Sequence, residues 1–183
     1  MPYLVSIALL VALVAWMVGV YNNLEHLREI VCNCWGQWCK VTHFRNECAA
    51  DFTTAFAAFL PPEDALPRDL RRLTKDSERS LALAMEPRWN EEYGFMGRAE
   101  QLLRSSLGRA VQMVEDSPAM REHEPLRLLC SNMAVSLYQQ EQVAAMFNHA
   151  AREYNAALAV PSARLLAPVF GFRRADTLED SSH

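Results

Sequence analysis

Four of the chain's five cysteines, Cys32, Cys34, Cys39 and Cys48, crowd into one stretch with His43, while Cys130 stands apart. Thiolate and imidazole are the ligands of a soft-metal or redox site, and on a helix Cys39 and His43 would be neighbours at i, i+4, with Cys32 two turns earlier. No CxxC pair is present to chelate, and Cys34 falls on a different helical face from Cys39. Cysteine serves more commonly as a small buried hydrophobe, so neither a metal nor a cofactor is expected. Nor are disulfides, since cysteines this close on one helix do not bring Cβ atoms within about 4.5 Å and facing each other. An odd count of unpaired thiols fits a reducing compartment. A Cys-based redox or metal sensor stays open as an alternative function.

Other chemistry is thinly represented. His26, His123, His149 and His183 have no carboxylate or serine at a useful spacing, and neither HExxH, GxSxG nor a Gly-rich phosphate loop occurs. Nothing nominates a catalyst, and the expectation is a protein that is not an enzyme. The net charge of −4 without a basic block argues against nucleic acid as a partner.

The elements that must carry these residues are helices. With 6 glycines and no run of alternating β-branched residues, the composition points to an all-α fold. Leu4 to Tyr21 carries no charge over about 18 residues, roughly 27 Å of helix and close to a bilayer's hydrocarbon thickness. No Lys or Arg precedes it and no convincing cleavage pair follows it, so residues 1–21 read as a retained transmembrane anchor rather than a signal peptide. Trp16 and Tyr21 suit the membrane interface.

No helix breaker follows until Pro61-Pro62, so the anchor should run on as one helix to about Leu60. Leu24, Val31, Trp38, Phe52 and Phe59 recur at one heptad position, with Leu27, Cys34, Val41, Cys48 and Ala55 as the second seam. That register puts Arg45 in the seam. A guanidinium taken out of water must be paired, and Glu141, or else Glu47, is the expected partner; the alternative is that Arg45 snorkels to solvent.

A second stretch carries Leu66, Leu70, Leu73, Leu81 and Ala84 as far as Glu86-Pro87, and the pattern resumes from Trp89 through Tyr93, Met96, Leu103, Leu107, Ala110 and Val114. Asp116-Ser117-Pro118 is the next stop. The last long segment, about Pro125 to Ala159, has Leu126, Met133, Phe147 and Tyr154 at one seam position, Cys130, Leu137, Ala144, Ala151 and Leu158 at the other, and Gln140 filling the remaining site. The expected architecture is an up-and-down antiparallel bundle over 22–160 of three long helices, four if the middle one breaks at Pro87. A short apolar segment (161–175) and a tail disordered by composition (176–183) complete the chain.

Asn148 and Asn155 share a helical face beside Phe147 and Tyr154; the amides tie the C-terminal segment back onto the bundle or form an exposed binding face. Ala163 to Arg174 mixes Leu165, Leu166, Val169, Phe170 and Phe172 with Arg164, Arg173 and Arg174. It reads as a lid over the bundle's open end or as a short membrane-surface element.

The chain resembles the LemA family. The carrying residues are Tyr21-Asn22-Asn23-Leu24 and Leu27-Arg28, then Trp35 and Gln37, then Glu141, Phe147-Asn148, Arg152, Tyr154-Asn155, Pro161-Ser162 and Phe170-Gly171-Phe172. Where that family shows a paired-Arg, Asp-Leu-Ile-Pro-Asn-Leu type stretch, this chain has Arg45-Asn46-Glu47-Cys48-Ala49-Ala50-Asp51-Phe52, without the proline. The resemblance implies a bacterial envelope protein with a single-pass anchor and a helical bundle, and no established enzymatic activity.

The function expected is therefore a membrane-anchored scaffold or adaptor for other envelope or membrane proteins, or for a second copy of itself. The alternative is an accessory subunit regulating a membrane enzyme such as a protease. Arg28, Lys40 and Arg45 follow the anchor, against Glu25, Glu29 and Glu47, which leans towards an inner-membrane protein with a cytoplasmic bundle.

Overall fold

The computed structural model describes residues 2–83 and 94–178, with no strand among them. The helices are α1 (Pro2–Ala57), α2 (Ala65–Leu83), α3 (Gly94–Asp116), the short α4 (Pro118–Glu122), α5 (Glu124–Ala159) and the short α6 (Pro161–Leu166). The stop signals act as their chemistry requires. Asp64 caps α2 by accepting the Leu66 N–H at 2.9 Å, and α4, α5 and α6 each carry proline in the first turn, where its missing N–H is no loss.

α1 and α5 run antiparallel along each other, and α2 and α3 pack as a pair beside them. The middle stretch is thus divided, and the bundle is the four-helix version; Ala84, Pro87, Trp89 and Tyr93 lie outside the described residues, as does the side chain of Met96. At 56 residues α1 is about 84 Å long, far longer than its partners. Among the described residues one helix is long and apolar enough to cross a membrane. It is α1, and no residue of its most apolar window is buried.

From Val31 onward the buried seam of α1 reads Val31, Trp35, Trp38, Thr42, Arg45, Ala49, Phe52, Phe56, in alternating steps of four and three. The first heptad position is the expected one. The second is not: Cys34, Val41, Cys48 and Ala55 are only half-buried, and the seam uses the residue after each of them. Size explains the rotation, because a seam on the smaller set would leave the rings of Trp35 and Phe56 in water. Burying them brings Thr42 inside as well.

Two apolar cores result. In the proximal half, next to the uncharged stretch, α1 and α5 enclose Leu24, Val31, Trp35, Trp38, Phe147, Ala151 and Tyr154, joined by Ala163, Ala167, Phe172 and Ala175 from the C-terminal segment. The distal half closes around Phe52, Phe56, Leu70, Leu103, Leu107, Leu126 and Met133, contributed by α1, α2, α3 and α5. A layer of polar side chains separates them.

Candidate functional site

The polar layer is built from three side chains of α1, Thr42, Arg45 and Asn46, and one each from α2, α3 and α5. Arg45 and Gln140 occupy the seam positions of α1 and α5 that the heptad pattern left without an apolar residue. Ser77 does the same on α2, whose buried face is Pro67, Leu70, Thr74, Ser77, Leu81. On α3 the steps of four and three back from Val114, Ala110, Leu107 and Leu103 lead to Glu100. Ridges of four helices therefore deliver four polar groups to one level.

Arg45 is fully buried. Its Nη1 donates to Glu100 Oε2 at 2.6 Å and to Gln140 Oε1 at 2.9 Å. Its Nη2 donates to Glu100 Oε1 at 3.1 Å, Ser77 Oγ at 2.9 Å and Asn46 Oδ1 at 2.7 Å, and Nε adds 3.2 Å to Asn46 Oδ1. Gln140 Nε2 donates to Glu100 Oε2 at 2.9 Å and to Thr42 Oγ1 at 3.3 Å. Asn46 Nδ2 donates to Ser77 Oγ at 3.0 Å, and the Ser77 hydroxyl donates to Glu100 Oε1. Each carboxylate oxygen of Glu100 thus receives two donors, which fills its lone-pair positions.

Burial alone would raise the Glu100 carboxyl. The Arg45 charge and the hydrogen bonds from Arg45, Ser77 and Gln140 outweigh it and hold Glu100 below the ordinary carboxylate range. A saturated carboxylate with a depressed pKa is a poor base, and the partners of Ser77 among the described residues are Arg45, Asn46 and Glu100. What the arrangement does well is fix which layer of each helix faces which, because any slip in register strands a buried charge.

The pairing expected from the sequence is corrected. Glu141, one residue past the seam, ion-pairs on the surface with Arg104 at 2.6 Å, and Glu47 sits at 3.5 Å from His43. The partner of Arg45 is Glu100, which only the seam register of α3 would have pointed to.

No family model, curated protein or solved structure matches the chain. Its chemistry has to be read from its own side chains.

The remaining candidates gather in the proximal half. Phe147 is buried with its ring 5.1 Å from Trp35, which stacks on Trp38 at 4.9 Å. Tyr154 is buried below them, and that burial pushes its hydroxyl up to about 12, against the partial offset of the Arg28 charge. The two asparagines hold the C-terminal segment: Asn155 Nδ2 donates to the Ala175 carbonyl at 2.6 Å, the Ala175 N–H donates to Asn155 Oδ1 at 3.0 Å, and the Leu178 N–H donates to Asn148 Oδ1 at 2.8 Å. Residues 172–178 thus form a non-helical strap along α5. The tail expected to be disordered from Asp176 instead stays packed to Leu178, with Thr177 buried; residues 179–183 lie outside the described residues. Phe172 is buried in the core and Phe170 is partly exposed, both against Tyr21 at ring distances of 5.6 and 5.2 Å. Arg152 lies on the exposed face of α5.

Cys32, Cys34, Cys39, Cys48 and Cys130 are free thiols. Among the described residues no three His, Cys, Asp or Glu side chains converge to hold a metal ion. Burial raises the Cys32, Cys34 and Cys48 thiols and pushes Cys39 up to about 11. A thiol that resists ionisation is a weaker nucleophile and a weaker ligand than an ordinary one.

Proposed function

We propose that this chain is a single-pass membrane protein of the LemA type whose helical bundle serves as a scaffold for other membrane or envelope proteins. The carrying observation is a contrast within one helix: no residue of the most apolar window at the start of α1 is buried, while the same helix continues without a break into a packed bundle. An unburied apolar helix of that length needs lipid around it. Family membership rests on the Tyr21-Asn22-Asn23-Leu24, Phe147-Asn148, Tyr154-Asn155 and Phe170-Gly171-Phe172 set. Its residues converge on the proximal half, where Tyr21 meets the two phenylalanines and the two asparagines hold the strap.

Association is supported by the outer face of α5. Leu128, Val135, Tyr138 and Met146 recur there at helical spacing, each more than half exposed. Large apolar side chains aligned on one exposed helix face are what a partner helix covers. Arg28 and Lys40 beyond the anchor and the free thiols support a cytoplasmic bundle in the inner membrane of a bacterium.

Alkaline carbonate extraction of membranes tests the anchor: the full-length chain stays in the pellet, and a chain trimmed ahead of Asn22 or released overturns the reading. Native gels of gently solubilised membranes test the scaffold. The chain migrates in an assembly that Leu128→Lys with Val135→Lys reduces to a monomer at unchanged thermal midpoint; a wild-type monomer overturns it.

A further inference from the structure

The corner where α5 turns into α6 reaches the level of the uncharged stretch itself. Trp16, Gly19 and Val20 of α1 face Ala157, Val160 and Ser162 across an open cleft of about 300 Å³. At the next residue of α1, Tyr21 is in ring contact with Phe170 and Phe172. If α1 spans a bilayer, as proposed above, this corner lies at headgroup depth. Its two faces differ sharply: Ala163, Ala167, Phe172 and Ala175 pack inward, while Leu165 and Val169 are each 74% exposed and Phe170 41%. In the same segment Arg164, Arg173 and Arg174 are all exposed.

We propose that the corner of residues 163–174 is a lipid-binding wedge: Leu165, Val169 and Phe170 enter the interfacial layer of the bilayer around α1, and Arg164, Arg173 and Arg174 hold the phosphates of anionic phospholipids. The lipid surface is the chosen occupant for two reasons. The patch adjoins the apolar stretch of α1 through Phe170, which meets Tyr21, so the membrane proposed around α1 is beside it, and its cations match an anionic leaflet while its apolar tips match the acyl boundary. Two signals, one apolar and one basic, are what stable surface binding takes. The wedge would brace the bundle against the membrane and fix its tilt.

The proposal rests on the anchor reading, and the test separates the two. The full chain, carrying p-benzoylphenylalanine at one position, is reconstituted into vesicles of phosphatidylcholine alone or mixed with phosphatidylglycerol, irradiated, and examined for lipid adducts by mass. A probe at Val11 reports the anchor, one at Val169 the wedge, and one at exposed Leu128 the distal background. Adducts are expected at Val11 in both vesicles and at Val169 with phosphatidylglycerol favoured. That preference falls by about tenfold or more in Arg164→Gln/Arg173→Gln/Arg174→Gln, each arginine at an anionic surface contributing about fivefold. Adducts at Val11 with no more at Val169 than at Leu128 overturn the wedge alone. Equal yield at Val169 in both vesicles, unchanged by the triple substitution, overturns the phosphate contact. No adduct at Val11 overturns the anchor and the wedge together.

Discussion

The two halves of the bundle bury their apolar surface by different means. Distally four helices supply it, and medium-sized side chains such as Leu70, Leu103, Leu107 and Met133 meet around the stacked rings of Phe52 and Phe56. Proximally two helices do most of the work, and a two-helix seam is too narrow to exclude water unaided. The chain compensates with larger rings, Trp35, Trp38, Phe147 and Tyr154, and with the strap laid over them. Being non-helical, the strap cannot satisfy its own backbone, so Asn148 and Asn155 do it. Among the described residues, the half enclosed mainly by two helices carries the larger rings, and the strap that covers them has backbone groups held by side-chain amides.

The polar layer between the halves offers the largest break in that comparison. Arg45→Ala leaves Glu100 buried to 14% side-chain exposure without its counter-charge. It should cost about 3–5 kcal/mol and lower the thermal midpoint of the full chain in detergent by about 10 °C. Replacing Arg45, Glu100 and Gln140 together by Met or Leu should recover most of that loss, since an apolar layer of similar volume has no charge to strand. A triple variant as unstable as the single one would mean that the layer contributes net stability rather than register.

Acid sharpens the same point with a smaller effect. Glu100 binds its proton more weakly folded than unfolded, so its contribution is fully present above the ordinary carboxylate range. It is lost as pH falls through that range towards the folded value. Denaturation of wild type should therefore steepen with acid relative to the apolar triple variant; parallel pH curves would show that Glu100 is not held as a carboxylate.

The proximal half should break locally. Asn155→Ala removes both hydrogen bonds to Ala175 at a cost of about 1–2 kcal/mol, felt by the strap rather than by the four-helix part. Trypsin should cut faster after exposed Arg173 and Arg174 while the thermal midpoint hardly moves. Unchanged cutting would mean that Phe172 and Ala175 hold the strap without the amide.

How much of this was legible follows from what each signal measures. Proline positions and seven-residue recurrence gave the helices and the first seam position, because both act within a few residues. The second seam of α1 was missed because Leu27, Cys34, Val41, Cys48 and Ala55 are uniformly apolar, whereas the true set includes polar Thr42. Periodicity weighs residue type, while packing weighs the volume of Trp35 and Phe56. Arg45 and Gln140 were visible as gaps in the seams. Their common partner was not, since Glu141 is adjacent to Gln140 in sequence and Glu100 becomes adjacent only once α3 is laid beside α5. Extending the α3 register one step back from Leu103 would have exposed it. The strap left no periodic trace, as backbone capture by Asn148 and Asn155 needs no pattern in the residues captured.

The smallest effect tests whether every polar group in the distal half is there for the layer. Thr53 of α1 and Thr74 of α2 are buried, and neither hydroxyl has a hydrogen-bond partner among the described residues. Unlike Ser77, which sits among donors and acceptors, each forgoes water for nothing that the structure supplies. Thr53→Val keeps the shape and removes that penalty, so it should leave stability unchanged or raise it by up to about 1 kcal/mol. The same exchange at Ser77, by Ser77→Ala, should lower it by removing one of the four donors that saturate Glu100. A loss in Thr53→Val comparable to that in Ser77→Ala, measured in the same thermal series, would mean that the distal core holds a second polar contact and that the separation of polar layer from apolar core is less complete than these side chains indicate.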